Sequence, residues 1–430
     1  MRPRALLLAF CAVSAFLACD PAGSPSSAGS LTFAVGGAPA EFAHWERVAR
    51  AFERETGIRV ELLRQPSDTG LRRQGLTVPL QARIPSPDVF LMDVAWVAQF
   101  AASGWLEPLS PYLGKEGCPG KEAFFSRMID TVDTREGAVV ALPVYVDAGL
   151  LYYRKDLLEK YGLSGPPRTW EELLLRSETV QEGERRSNPG FYAFAWQGAQ
   201  YEGLVCCFLE FAGPAGDFRV EDGKVTVDTP QNRKALRFMR KLVGDRGISP
   251  PNTYTDMREE EVRSFFQGGN ALFERNWPYA WPLHEDKDSP VRGKTGIAPL
   301  PGWNPGEGTA CLGGWHAGIS AFSDAKPESV KFLCYLASYD TQRDLALQLG
   351  WNPGRRDLYS DPELLARNPH LGTLRAVFEN ARPRPLLPYY GRLSEILQRH
   401  LNAALSGTSG PEEALSDAER EMQAVITRYR

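Results

Sequence analysis

The chain has 430 residues, 49 of them basic and 53 acidic, and a formal net charge of −4. Because the charge is negative and no run rich in Lys and Arg occurs, the composition argues against a nucleic-acid partner. Beyond residue 30 no apolar run approaches the ~20 residues that a membrane-spanning helix needs, so we expect a soluble folded part. A chain of this length exceeds what one hydrophobic core usually supports, which predicts two lobes.

The N-terminus has the pattern of an export signal. Arg2 and Arg4 precede a short apolar run that ends at residue 18, so residues 1–18 are predicted to be a signal peptide. Residues 16–19 resemble a bacterial lipoprotein signal, in which cleavage leaves a lipidated Cys19, although Phe16 stands where Leu is usual. Residues 19–30 are rich in Pro, Gly and Ser and predict a flexible tether. We therefore expect a membrane-anchored lipoprotein in the periplasm or on the cell surface, or alternatively a secreted protein that is cut near Ala18.

The cysteines and histidines indicate neither a dense disulfide framework nor a metal site. Apart from Cys11 in the signal and Cys19, the cysteines are Cys118, Cys206, Cys207, Cys311 and Cys334. This odd number predicts at least one free thiol, and sequence spacing does not give the pairing. The five histidines are scattered, and neither Cys-x-x-Cys nor His-Glu-x-x-His occurs, so we expect no metal.

Strands alternate with helices from residue 31 onward. Residues 31–35, 58–63 and 88–93 read as strands, and a helical pattern follows Gly36-Gly37. This alternation predicts a mostly parallel sheet, whose ligands bind beyond the carboxyl ends of the strands. Gly36-Gly37 and Asp93 are therefore expected to face a cleft.

A second α/β region is predicted from about residue 150. It contains a probable hairpin at 218–227, turned at Asp222-Gly223. A strand at 271–273 leads to Asn276-Trp277-Pro278-Tyr279 in a loop at its end.

Three clusters place an aromatic ring beside glycine, proline or an amide. They are Trp196 to Gly203, Asn276 to Tyr279, and Gly313-Gly314-Trp315. A pyranose packs its C–H faces against such rings and offers its hydroxyls to carboxylates and amides, so the clusters indicate a sugar site. The alternative is that these tryptophans are ordinary core residues.

A glycoside hydrolase is the enzymatic alternative, since it needs two carboxylates across a sugar. Glu41, Asp93, Asp147 and Glu202 could supply such a pair. Carboxylates also bind sugar hydroxyls without chemistry, so their presence does not discriminate between the two functions.

The chain resembles the extracellular solute-binding proteins of ABC sugar importers, the maltose-binding-protein-like family, and within it the trehalose/maltose-binding branch. The resemblance covers nearly all of the mature chain. It rests on residues 52–58, 87–93, 143–153 and 167–173, on the three aromatic clusters, and on Arg382-Pro383-Arg384-Pro385.

The resemblance implies an α/β, two-lobed periplasmic-binding-protein fold with the ligand cleft between the lobes. The lobes are expected at 31–149 plus 310–352 and at 150–309 plus 353–430. The residues implied to bind sugar are Glu41, Arg72, Arg73, Asp93, Tyr145, Asp147, Trp277, Tyr279, Gly314, Trp315 and Arg384. Between Arg72 and Arg73 the choice of the contacting residue is open. It is also open whether Gln197, Tyr201 and Glu202 touch the sugar or support the cleft wall.

By the same resemblance the protein is no enzyme and needs no cofactor. It would capture a disaccharide such as trehalose or maltose by hinge closure and deliver it to membrane permease subunits, acting as a monomer anchored at Cys19. A sugar sensor is a further alternative.

Overall fold

The computed structural model describes residues 29–429 except 38, 67, 116, 369 and 370. The predicted signal peptide, Cys19 and most of the predicted tether therefore lie outside the described residues. Among the helices that it does describe, none combines the length and the apolar character needed to cross a membrane.

Strands and helices alternate through most of the described chain. The strands are β1 Ser30–Gly36, β2 Arg59–Gln65, β3 Val89–Asp93, β4 Thr134–Arg135, β5 Ala138–Val139, β6 Leu142–Ala148, β7 Leu150–Arg154, β8 Phe194–Ala195, β9 Arg219–Glu221, β10 Lys224–Thr226, β11 Phe273–Asn276, β12 Thr295–Ala298 and β13 Leu312–Ile319. The helices are α1 Pro39–Thr56, α2 Thr69–Gln81, α3 Val97–Ala102, α4 Ser126–Thr131, α5 Lys155–Lys160, α6 Trp170–Glu184, α7 Glu202–Ala212, α8 Pro230–Val243, α9 Glu259–Gln267, α10 Ala280–His284, α11 Lys326–Leu336, α12 Tyr339–Leu349, α13 Pro362–Arg367, α14 Leu371–Asn380, α15 Tyr390–Ser406 and α16 Pro411–Tyr429.

The first lobe is built on a five-stranded sheet in the order β2-β1-β3-β13-β6. β1 pairs in parallel with β2 and β3, while β13 runs antiparallel to β3 and β6. The predicted strands at 31–35, 58–63 and 88–93 are confirmed as β1, β2 and β3. The carboxyl ends of these strands lie at one edge of the sheet.

Aromatic side chains fill the core on one face of this sheet. Phe33 of β1 meets Trp45 of α1 edge-on, with ring centroids 5.8 Å apart, and meets Phe332 of α11 at 5.0 Å. Trp45 and Phe52 are the α1 positions that the helical spacing turns inward, and both are buried. Each aromatic pair contributes about 0.5–1.5 kcal/mol beyond the area it buries, so α1 is firmly held to β1.

The second lobe is built on a four-stranded sheet in the order β12-β7-β11-β8. Its core contains Trp170 stacked on Phe211 at 4.3 Å. The predicted hairpin is confirmed as β9 and β10, and its turn residues Asp222 and Gly223 both have positive φ, as a two-residue hairpin turn requires. This architecture is the predicted two-lobed α/β fold.

Three segments of the described chain cross between the sheets. The first is Gly149, between β6 and β7, and the second leads into β13 at Cys311. The third runs through Arg382. The Arg382 carbonyl accepts a hydrogen bond from the Leu312 N–H, and the Arg382 N–H donates to the Ala310 carbonyl, so the second and third crossings lie side by side.

Residues between the second and third crossings pack on the first lobe. Phe125, at the start of α4, contacts Tyr359 at 5.2 Å and Phe378 at 6.5 Å. Helices α15 and α16 instead pack on α7 and α8 of the second lobe. We therefore propose that residues 353–380 belong to the first lobe and that the second lobe resumes at about residue 385.

Charged side chains join the two lobes directly. Arg73 of α2 donates to Glu395 of α15 at 2.9 Å, and Arg258 before α9 pairs with Asp68 before α2. The lobes thus touch across the cleft, and the structure is in a closed arrangement.

Of the cysteines that remained unassigned, Cys118 and Cys334 form a disulfide. Cys206, Cys207 and Cys311 are free and buried, which confirms the prediction of at least one free thiol.

Candidate ligand-binding cleft

Five of the residues implied to bind sugar lie on neighbouring strands of the first sheet. Trp315 of β13 stands opposite Asp93 at the end of β3 and opposite Tyr145 of β6. Gly314 precedes Trp315, and Asp147 lies two residues after Tyr145 on the same strand. The sheet register therefore brings a ring, two carboxyl groups and a phenol to one edge.

Gly314 lets β13 approach β6 closely. Its φ is +128°, and a Cβ atom at this position would lie 2.7 Å from the Tyr145 carbonyl oxygen. Any other residue would be strained and would push the strands apart. The backbone conformation and the close strand pairing therefore require glycine at this position. This close pairing places Trp315 at the cleft.

Trp315 is held by neighbours on two sides. Trp96 meets it edge-on with centroids 5.4 Å apart, and the Arg72 guanidinium lies over its ring at 4.3 Å. Arg72 is buried and donates from Nε to the Pro66 carbonyl at 2.7 Å. Arg73 lies elsewhere, against Glu395, so the two arginines occupy different parts of the cleft.

Trp277 approaches the first sheet from the second lobe. A Cβ atom on Gly313 would lie 3.1 Å from its ring. The Arg275 guanidinium lies over the ring at 3.9 Å, and the indole N–H donates to Glu259 at 3.3 Å. Tyr279, two residues on, donates its hydroxyl to Glu260 at 2.7 Å and packs against the core of the first lobe.

Arg384 connects the lobes at the base of the cleft. Its guanidinium is 2% exposed and donates to Asp93 at 2.8 Å and to Glu202, the first residue of α7, at 2.9 Å. Glu202 also accepts hydrogen bonds from Tyr390, Ser394 and Gln398 of α15. Burial raises the pKa of Asp93, and the Arg384 cation opposes that rise. One arginine thus neutralises a carboxylate from each lobe.

The carboxyl group of Asp147, also in the cleft, has a strongly raised pKa. Burial, and then the negative charge of Asp93, raise its pKa from 3.8 to about 7, while Arg275 opposes the rise. At neutral pH a fraction of Asp147 is therefore protonated and can donate a hydrogen bond as well as accept one.

We expect the stability of the protein to fall with pH on account of Asp147. The folded pKa of about 7 lies above the unfolded value of 3.8, so the contribution is fully present below pH 4 and is lost as pH rises through 7. Asp147→Asn removes this loss, so the stability of the variant relative to the unsubstituted protein should rise by up to about 4 kcal/mol between pH 4 and pH 8. Thermal unfolding of both proteins from pH 4 to pH 8 measures the difference. A difference that does not grow with pH would contradict the assignment.

Tyr145 and Glu41 lie at the first-lobe side of the cleft. The Tyr145 ring packs on Trp351 with centroids 4.2 Å apart. Burial, and then the negative charges of Glu41 and Asp147, hold its pKa well above the usual range. The Glu41 carboxylate fills the space beside Gly37, where φ is +127° and a side chain would overlap it.

A polar cavity of about 200 Å³ lies between the lobes. Its lining includes Asp93 and Trp96 from the first lobe and Tyr201, Glu202 and Tyr390 from the second. A larger groove of about 1000 Å³ lies on the outer face of the first lobe beside the disulfide, and none of the residues implied to bind sugar lines it. The interlobe cavity is therefore the better candidate for part of the ligand site.

Comparison with known proteins agrees with this architecture. The model of the bacterial extracellular solute-binding protein family matches residues 36–343. The chain belongs to this family. A probable ABC transporter-binding protein from Deinococcus radiodurans is 34% identical to this solute-binding protein, over 97% of its chain and 99% of the relative.

Solved structures of similar proteins contain sugars. Maltose-bound MalE3 from T. maritima matches with a TM-score of 0.85 and 38% identity, covering 93% of this chain and 100% of that one. A solute-binding protein from Thermotoga lettingae with bound α-D-tagatose matches with a TM-score of 0.83 and 28% identity, with 93% and 100% coverage. The chain is thus a member of the extracellular solute-binding proteins, a family of transport proteins. Membership of the trehalose branch stays a prediction.

The interpretation of Trp196 as part of an aromatic sugar cluster is wrong. Trp196 is fully buried, its indole N–H donates to Ser249 at 3.0 Å, and its ring packs on Phe211 at 5.6 Å. In this solute-binding protein it belongs to the core of the second lobe. Tyr201 and Glu202, at the other end of the same segment, do line the interlobe cavity.

Sequence reasoning missed the groups that surround Trp277. Arg275 and Glu259 both contact its ring system, yet neither was predicted to belong to the site. A signal was present, because Glu274-Arg275 interrupts an apolar strand, and charges in a buried strand must be paired.

Proposed function

We propose that this protein is the substrate-binding component of an ABC sugar importer that captures a disaccharide, such as maltose or trehalose, by hinge closure. The observation that carries the proposal is that Trp277 from one lobe meets Gly313 from the other, where Gly313 pairs with Asp147 and precedes Trp315 by two residues on β13. A ligand that touches both lobes shifts the population toward the closed arrangement.

The proposed sugar-binding side chains have two roles: aromatic rings stack on the sugar, and charged groups bind its hydroxyls. Trp277, Tyr279 and Trp315 supply stacking faces, and Asp93, Asp147 and Glu41 accept hydrogen bonds from hydroxyls. Arg72 is the better candidate of the two neighbouring arginines for a donor, because it lies on Trp315 whereas Arg73 is paired with Glu395. The maltose found in the similar T. maritima protein supports a disaccharide.

The closed protein would dock on membrane permease subunits, and lipidation at Cys19 would keep it near them. A tether raises the effective concentration of the binding protein at the permease. As a transport receptor, the protein would need no cofactor and would release its sugar unchanged.

Isothermal titration against trehalose, maltose, sucrose and glucose, followed by chromatography of each mixture, tests the proposal. We expect saturable one-to-one binding with the sugar recovered intact. Cleaved sugar would favour the glycoside hydrolase, and absence of binding across the panel would overturn the assignment of the solute.

Trp315→Ala should raise the dissociation constant for the bound sugar at least about fivefold, since stacking contributes about 1 kcal/mol or more. Trp303→Ala is a matched control. Trp303 is also a partly exposed ring under a cation, with Lys234 at 3.6 Å, but it packs on Phe238 in the second lobe away from the cleft. Unchanged affinity in a folded Trp315→Ala variant would contradict the pocket.

A further inference from the structure

Helix α7 presents one face to the interlobe crossings. Glu202, Cys206 and Glu210 are spaced four residues apart and so lie in one row. Glu202 binds Arg384 of the third crossing, and Glu210 accepts the Cys311 N–H of the second crossing at 3.0 Å. Cys206 lies between these two contacts.

Cys311 lies beside this row of α7, since its N–H binds Glu210 one turn after Cys206, and the Cys311 thiol raises the pKa of Cys206. The Cys311 thiol also donates to the Leu312 carbonyl at 3.8 Å. Both cysteines are buried, at 2% and 1% exposure, and neither belongs to the existing disulfide. The adjacent Cys207 points to a different neighbour, since its thiol donates to Gln197 at 3.6 Å. Two of the three free thiols are therefore neighbours, and the third has a different partner.

We propose that Cys206 and Cys311 are a second disulfide site, which fastens the crossing that leads into β13 to helix α7. The family to which the chain belongs is extracellular, and disulfides form and persist in such compartments. The bond would join the crossing at Cys311 to the second lobe. The proposal does not depend on which sugar binds in the cleft.

The reaction needs an oxidant that contains a disulfide, such as oxidised glutathione. The S–H bonds of Cys206 and Cys311 break and an S–S bond forms. Two protons and two electrons pass to glutathione disulfide, whose own S–S bond breaks to give two thiols.

The two thiols react slowly in the closed structure. A hydrogen bond to Cys311, and then burial, hold the pKa of Cys206 well above its usual range. The reactive species is the thiolate, so oxidation proceeds when the crossing opens and solvent reaches the pair.

Peptide mapping of the full chain after incubation with oxidised glutathione tests the site. No Lys or Arg lies between Arg186 and Arg219, so Cys206 and Cys207 share one tryptic peptide, while Cys311 lies on another that starts after Lys294. We expect these two peptides to become linked. Either Cys206 or Cys207 could form this link, so cysteine variants are needed to show which of the two does.

Cys207→Ser should retain the link, and Cys206→Ser and Cys311→Ser should lose it. The Cys207→Ser protein keeps the test independent of how the other variants fold, since its link can come only from Cys206. Oxidation should also raise the unfolding temperature by about 5 °C or more in Cys207→Ser and leave it unchanged in Cys206→Ser. No link under these conditions, a link that disappears in Cys207→Ser, or a fall in the unfolding temperature on oxidation would overturn the proposal.

Discussion

Replacing Arg384 by Met should weaken sugar binding about a hundredfold or more. The substitution keeps the length and apolar stem of the side chain but removes the cation between Asp93 and Glu202. Breaking a buried ion pair by removal of one partner costs about 3–5 kcal/mol, because the remaining charges are left without compensation. Here the carboxylates come from different lobes, so the cost falls on the closed arrangement.

Titration calorimetry with the sugar identified for the unsubstituted protein measures the effect. Small-angle scattering of the sugar-free variant should show a larger radius of gyration, since the bridge between the lobes is lost. Arg384→Lys should be intermediate, because a single ammonium group cannot donate to two carboxylates in the forked geometry of a guanidinium.

Arg382→Met provides the matched control. Arg382 precedes Arg384 by two residues in the same crossing, but its side chain is exposed and donates to the Pro214 carbonyl at 2.8 Å. This variant should bind sugar like the unsubstituted protein. If Arg384→Met binds equally well, the ion-pair bridge does not stabilise the closed arrangement.

Local patterns in the sequence predicted the elements that carry the cleft. Apolar runs ending at glycine or aspartate gave β1 and β3, and the Asp222-Gly223 pair gave the hairpin, because each depends on a few consecutive residues. The aromatic residues after β11 and within β13 were likewise predicted from their neighbours. Whether they contact sugar remains a proposal.

Contacts between distant parts of the chain could not be predicted in the same way. Strand β13 lies between β3 and β6 although more than 150 residues separate it from either. The disulfide joins Cys118 to Cys334 across 216 residues. Periodicity reports which face of an element is buried but not which element covers it.

The error at Trp196 has the same origin. Trp196 stands two residues before Gly198 and Trp315 directly follows Gly314, yet one is buried against Phe211 and the other lies at the cleft. A tryptophan next to glycine is equally suited to close packing in a core and to an open ligand surface. Only the position of the flanking strand in its sheet separates the two.

The buried pair of Arg275 and Glu210 should be the strongest single determinant of stability among the charged residues discussed. The guanidinium donates to both carboxylate oxygens, at 2.6 and 2.7 Å, and the two side chains are 2% and 1% exposed. Arg275 also donates to Gln197 at 3.2 Å and lies under the Trp277 ring. Glu210 additionally accepts the Cys311 N–H, so the pair connects the candidate stacking ring to a crossing segment.

Arg275→Met should lower the stability by about 3–5 kcal/mol, because it leaves the Glu210 carboxylate buried without its cation. Adding Glu210→Met should recover a large part of that loss, since apolar side chains of similar volume can replace a buried pair at little cost. Arg233→Met is the control. Arg233 makes the same forked contact with Asp228, at 2.5 and 2.6 Å, but its side chain is 40% exposed, so solvent screens the pair and its loss should destabilise the protein far less than the loss of Arg275. Denaturant midpoints of the unsubstituted protein, the two single variants and the double variant measure these changes in stability. Equal losses of stability in Arg275→Met and Arg233→Met would show that burial does not set the strength of the Arg275 pair.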